Sequence, residues 1–225
     1  MRAKEFLKEE YTPKDIEDFF TNCSEYFSYN KNPLVNMLYR GDYGNIRKDN
    51  FWMNQRNVLQ GRKPVDTDEF VHTILNDLFS TAFNFPFRSG MMCSGSPGEA
   101  SQYGRVSIVI PCNGYTLCYS PKYEDLFKSI PSTVYDYLEY THYEVHDGTP
   151  EQANAEKRIR SIITRLFKEG NYVAGPQHTN DAAMSTNEVM IYPTDYSELQ
   201  YYAFSEQFWS ATVVPMIRER FYASK

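Results

Sequence analysis

Three polar residues sit at the ends of apolar, strand-like runs: Arg40 in LYRG, Ser94 in CSGS and Glu188 in NEVMIYP. A guanidinium, a hydroxyl and a carboxylate at strand mouths beside small-residue turns make a recurring functional arrangement, because the scaffold fixes the polar group while the loops admit a ligand. Taken singly, each has an ordinary structural reading. An Arg ending a strand is most often an ion-pair partner, a Glu opening one is a solvated charge, and Ser96 is a helix cap before it is a ligand. Their order and local context join them into a set.

Other chemistries find less support. His142 and His146 lie four residues apart, but the acid falls at Glu144 rather than directly after the first His, so the zinc-protease pattern is absent and no metal is expected. Gly95, Gly98 and Gly104 precede a strand instead of following one, and no Gly-Lys-Ser/Thr loop exists, which excludes the dinucleotide and phosphate-loop fingerprints. His178 reads as a solvated loop histidine. Cys23, Cys93, Cys112 and Cys118 have neither metal-knuckle spacing nor disulfide-scaffold density and are expected as free buried thiols.

The elements that must position these groups follow from local pattern. Thr12, Pro13 and Asp15 cap a helix whose stripe is Ile16, Phe19, Phe20, Cys23 and Phe27, ended at Asn32-Pro33. Leu34 to Arg40 is extended, and the segment from there to Pro64 carries no clean period. Asp66 or Thr67 caps a helix with the broad face Phe70, Val71, Ile74, Leu75, Leu78, Phe79 and Ala82. Cys93, Ser94 and Gly95 read as a small-residue turn that lets a ligand or a neighbouring strand approach the backbone. Ser96 with Pro97 and Glu99 starts a short helix that Gly104 stops. Val106 to Ile110 and Tyr115 to Tyr119 are strands joined through Pro111, Asn113 and Gly114.

Further on, Tyr123 to Tyr143 reads as two short helices entered at Pro121 and Pro131, and Thr149, Pro150 and Gln152 open a long helix ending at Gly170. After a short extended piece at Tyr172 to Ala174, the polar stretch Gly175 to Asn187 reads as a loop. Glu188 to Tyr192 and Gln200 to Phe204 are strands, and the last helix, Ser205 to Tyr222, is bent at Pro215. The expectation is one α+β domain over residues 1–225, with a helical N-terminal part to about residue 33 and no internal repeat.

A chain of 225 residues with 41% hydrophobic content has enough apolar side chain for a substantial core, to which 19 Tyr and 15 Phe contribute heavily. A net charge of −6 gives no indication of bulk binding to nucleic acid or to an anionic membrane. The first residues, MRAKEFLKEE, lack the apolar core of a secretory signal, and no run reaches the length of a membrane span, so a cytoplasmic location is expected.

From about Leu34 to Phe204 the sequence resembles the mono-ADP-ribosyltransferase family, in the branch whose signature is an arginine, a serine motif and a glutamate. Leu38-Tyr39-Arg40-Gly41 looks like the aromatic-Arg-Gly that ends the family's first core strand. Ser94-Gly95-Ser96, followed by Ala100, Tyr103 and the Val106 to Ile110 strand, is similar to its Ser-Thr-Ser motif. Glu188-Val189-Met190-Ile191 with Pro193 looks like its catalytic-glutamate strand. The resemblance implies a split antiparallel β-sandwich flanked by helices, NAD as substrate, and transfer of ADP-ribose to a macromolecular acceptor, a protein. It implies Glu188, Arg40 and Ser94 as catalytic residues, and Arg40, Gly41, Ser94, Ser96 and Tyr103 as the nucleotide-binding set.

In such a reaction the bond between nicotinamide and ribose breaks through an oxocarbenium-like state, which a nearby carboxylate stabilises more than the ground state. Glu188 would do this and hold a ribose hydroxyl. Arg40 would grip the pyrophosphate or adjacent ribose with its planar fork, Ser94 would fix the ribose or orient Glu188, and Tyr103 or another nearby aromatic would stack on the nicotinamide, a core role for Tyr103 being the alternative. The chain departs from the pattern at Gly95, where the family has Thr. It departs again at Thr186, where arginine-modifying members carry an acidic or amide residue two before the glutamate. Hydrolysis of NAD on the same site, and a binding protein that keeps the fold without the chemistry, are the alternatives, and the polar stretch before Glu188 is the natural place to read an acceptor.

Overall fold

The computed structural model describes residues 11–44, 50–58, 67–143, 149–195 and 198–223. The leading MRAKEFLKEE, the candidate cap Asp66 and His146 of the histidine pair lie outside them.

The first helix, α1 (Pro13–Asn22), is set by a reciprocal cap: Thr12 Oγ accepts from the Asp15 amide at 3.3 Å, and the Asp15 carboxylate accepts from the Thr12 amide at 2.6 Å. The apolar stripe that the sequence offers as one helix is divided at Cys23, whose φ of −113° and ψ of 16° break the turn before α2 (Ser24–Tyr29). Phe19 is fully buried and packs its ring against Phe20, Phe27, Phe51, Tyr202 and Phe204. This aromatic nest ties the N-terminal helices to the sheet.

The strands are β1 (Leu38–Asp42), β2 (Met53–Asn57), β3 (Met91–Ser94), β4 (Arg105–Pro111), β5 (Tyr115–Tyr119), β6 (Val173–Ala174), β7 (Glu188–Pro193) and β8 (Glu198–Phe204). They hydrogen-bond into one antiparallel sheet in the order β2-β8-β4-β1-β3-β7-β5-β6, rather than two separate layers. Its middle is a narrow waist: β1 meets β3 through the single register pair Tyr39↔Ser94, whereas β1 and β4 pair from Leu38↔Val109 to Asp42↔Arg105.

The helices are α3 (Glu69–Phe83), α4 (Pro97–Ser101), α5 (Ser132–Tyr143), α6 (Pro150–Glu169), α7 (Thr179–Met184), α8 (Glu206–Phe208) and α9 (Val214–Tyr222). Asp68, not Thr67, caps α3, accepting from the Phe70 and Val71 amides. Thr149 caps α6 and Ser96 caps α4 as their sequences imply, but Glu99 does not close a box. Its carboxylate instead accepts from Gln102 and Lys128.

Five further readings are corrected. β2 and β3 are strands where the sequence shows, respectively, no period and a turn. One helix, α5, stands where two were expected, because Pro121 opens turns in which the Asp125 carboxylate accepts from the Phe127 and Lys128 amides. The polar stretch before Glu188 holds a 3₁₀ turn (Pro176–His178) and α7, with Thr179, Asn180, Ala182 and Ala183 buried. The last helix widens into a π turn at Trp209–Val213, because Pro215 has no N–H to give the carbonyl a turn behind it.

Phe19→Ala should lower stability by about 3–5 kcal/mol through the void it leaves among these rings. Urea unfolding followed by circular dichroism measures it.

Candidate functional site at the ends of β1, β3 and β7

Tyr39 faces Ser94 and Ser94 faces Glu188 across three neighbouring strands. With adjacent strands about 4.8 Å apart, the backbones of Tyr39-Arg40, Ser94 and Glu188 fall within about 10 Å of one another. β1 begins at Leu38, β3 ends at Ser94 and β7 begins at Glu188, so the row Tyr39, Ser94, Glu188 lies at one mouth of the sheet, with Arg40 at the middle of β1. The side chains then divide. Directly opposed residues share a face, so Ser94 and Glu188 leave the sheet together, while Arg40, one residue beyond Tyr39, leaves on the other face.

On the Glu188 side, the carboxylate Oε2 accepts from Arg88 Nη1 at 2.7 Å; the Arg88 side chain is only 5% exposed and that of Glu188 18%. Burial works against the charge on Arg88, but the adjoining carboxylate outweighs it and holds the guanidinium above its usual pKa. Burial, reinforced by Glu188, also pushes the Tyr172 phenol up. Arg88 rides on the 3₁₀ turn Phe87–Ser89 between α3 and β3, anchored by buried Phe87. Its Nε meets no hydrogen-bond acceptor among the described residues. Ser94 Oγ donates to the Thr186 carbonyl at 2.9 Å and accepts from the Ser96 amide at 3.0 Å. It thereby fastens the turn after β3 to the approach to β7.

On the Arg40 side, Nε and Nη2 donate to Asp42 Oδ2 at 3.3 and 2.9 Å, and Nη1 donates to the Met92 carbonyl at 3.1 Å. Burial raises the Asp42 carboxyl, but the Gly44 amide and Arg40 together bring it below its ordinary value. Arg56, from β2, lies within electrostatic range of Arg40, Asp42, Cys93 and Tyr201, and burial followed by Arg40 depresses its pKa. Burial pushes the Cys93 thiol up to about 12 against the pull of Arg40 and Arg56.

The remaining expected residues have local explanations. A Cβ at Gly41 would run into the Ala100 carbonyl of α4, and one at Gly95 into the Ser185 and Ala183 carbonyls. Both glycines are therefore accounted for by protein backbone in close approach. Ser96 Oγ accepts from the Glu99 amide as the cap of α4. Tyr103 is 45% exposed, not core, and its hydroxyl donates to Asp125 Oδ2 at 3.1 Å. Sequence reasoning missed Arg88 and Arg56. The first stood in plain view six residues before Ser94; the second sat in a strand with no readable period.

Among the described residues no group of three or more His, Cys, Asp or Glu side chains is placed to hold a metal, and no helix is long and apolar enough to cross a membrane. Comparison of the chain with protein-family models, curated proteins and solved structures returns no match.

Arg88→Met should cost about 3–5 kcal/mol by stranding the Glu188 carboxylate, and Arg88→Met with Glu188→Leu should recover much of that loss, as a double-mutant cycle in urea will measure. The thiols of Cys23, Cys93, Cys112 and Cys118 are all buried. They should resist iodoacetamide at pH 8 in the native protein and react once it is unfolded, as mass spectrometry will report.

Proposed function

We propose that the chain is an NAD-consuming ADP-ribosyltransferase whose nucleotide lies across the strand ends rather than on one face of the sheet. The observation that carries this reading is the register row: Ser94 and Glu188 meet at the ends of two strands, and Arg40 lies on the third, one residue beyond Tyr39, which faces Ser94. Across such a mouth, a ligand touches groups from both faces. Arg40 and Glu188 each keep part of their side chain open to solvent, 15% and 18% respectively.

In the proposed reaction, water or an acceptor hydroxyl, amine or guanidine attacks the anomeric carbon as its bond to nicotinamide breaks. Nicotinamide departs neutral with the bonding electron pair, and the attacking group loses a proton. Glu188 stabilises the positive charge that builds on the ribose, in the orientation set by Arg88. Arg40 holds the phosphate side of the nucleotide with the fork that already binds Asp42. Ser94, which ties the turn after β3 to the residues before β7, acts here by fixing Glu188.

Hydrolysis is the second reading, favoured by one feature. The stretch before Glu188, where an acceptor would be read, is folded down as α7 with four buried residues, Thr179, Asn180, Ala182 and Ala183. Water then becomes the default attacking group.

Incubation with NAD labelled in its adenylate half should release nicotinamide, and Glu188→Gln should slow the release by about a hundredfold or more with little change in KM. Label recovered on lysate protein supports transfer, and free ADP-ribose alone supports hydrolysis. Equal behaviour of the two proteins ends both readings.

A further inference from the structure

Two of the four thiols come together where the N-terminal helices meet the sheet. Cys23 is the residue at which α1 stops and α2 begins, and Cys112 follows the last residue of β4. The two stretches are laced to one another through Asn113. Its amide donates to the Asn22 carbonyl at 2.6 Å, its Nδ2 donates to the Thr21 carbonyl at 2.9 Å, and its Oδ1 accepts from the Glu25 amide at 2.9 Å. Cys112 is held from its other side, its amide donating to the Gln200 carbonyl of β8 at 2.9 Å. Neither cysteine can leave the other without breaking these bonds.

Backbones joined by an N–H···O=C bond run about 5 Å apart, and α-carbons at that spacing suit a disulfide. The bond from Asn113 to Asn22 sets Cys112 beside Cys23 on those terms. Both side chains turn inward: Cys23 is 0% exposed and Cys112 5%. Burial pushes the Cys23 thiol far up, and a hydrogen bond with the Cys112 thiol adds to it. The other two thiols are kept apart by the sheet. Cys93 on β3 and Cys118 on β5 have β7 between them, which separates their backbones by about 10 Å, beyond the reach of a disulfide.

We infer that Cys23 and Cys112 are a redox pair, free thiols under reducing conditions and a disulfide between the α1–α2 joint and the end of β4 when a low-molecular-weight disulfide is present. One protein thiolate attacks a sulfur of the small disulfide and expels a thiolate; the second attacks the mixed bond at the protein sulfur and expels another. The two protons lost by the protein end on the two small thiols, and the two electrons it gives up reduce the small disulfide. Neutral, enclosed sulfurs react slowly, so the bond closes as the chain folds or when the joint opens. It closes a loop of roughly ninety residues and thereby removes freedom from the unfolded chain. The pair is independent of any chemistry on NAD.

Refolding the reduced full chain in equal concentrations of oxidised and reduced glutathione, followed by alkylation in urea, digestion and mass spectrometry, tests it. Two of the four thiols should be lost to alkylation, with a linked Cys23–Cys112 peptide in their place and the alkyl group on Cys93 and Cys118. Dithiothreitol should restore all four. The same buffer applied to the chain held unfolded in urea should spread the oxidised product over several pairings, which shows that the fold selects the native one. Circular dichroism establishes that the refolded chain is native. Four alkylated cysteines in that native product, glutathione retained on Cys23 or Cys112, or a link through Cys93 or Cys118 overturns the inference.

Discussion

One bridge, Tyr39 to Ser94, holds the two halves of the sheet in register, and the placement of every candidate residue depends on it. Side-chain direction alternates along a strand, so a slip of one residue at this joint would carry Ser94 and Glu188 to the face now used by Arg40. The joint is a single pair although β3 pairs with β7 along all four of its residues, and β3 ends where Gly95 passes close to the Ser185 and Ala183 carbonyls. Ser94 secures the same corner by spending its hydroxyl on the Thr186 carbonyl and the Ser96 amide. The serine motif therefore has a structural task whatever its chemical one: it locks the β3 turn to the entry of β7.

How far this was readable from sequence depended on where the information lay. Caps are local, so Thr12, Ser96 and Thr149 were legible, as were the β-branched run of β4 and the head of β7 at Glu188. β2 was not. Met53, Asn54, Gln55, Arg56 and Asn57 form a strand because β8 offers a partner edge, not because their own pattern asks for one. β3 was obscured for a related reason: Cys93 and Ser94, with Gly95, look like a small-residue turn, yet the strand that contains them is flanked on both sides by other strands. Tertiary pairing outweighed propensity in both cases. The α7 stretch failed in the opposite direction, since Thr179, Asn180, Ala182 and Ala183 are small or polar but are buried. Thr179, for example, shares a hydrogen bond with the buried Tyr115 hydroxyl at 2.6 Å.

The candidate site was half legible on the same terms. Its three named residues were found through short motifs, and the row they form is a fact of register that no single segment contains. Their charge partners could not be read. Arg88 and Arg56 come from a 3₁₀ turn and from the outermost strand, and only the folded sheet gives each its neighbour.

The two arginines also separate two physical situations that residue type alone would merge. Arg88 is almost wholly buried, yet a carboxylate lies 2.7 Å from it, and the pair is closed. Removing either member leaves the other stranded, and through Nη1 Arg88 holds Glu188 in place. Arg56 is the reverse case. Asp42 sits within its range but is already engaged in two bonds from Arg40, and repulsion from Arg40 adds to the cost of burial. That cost is limited, because Arg56 stands on the edge strand β2 and is only half-buried.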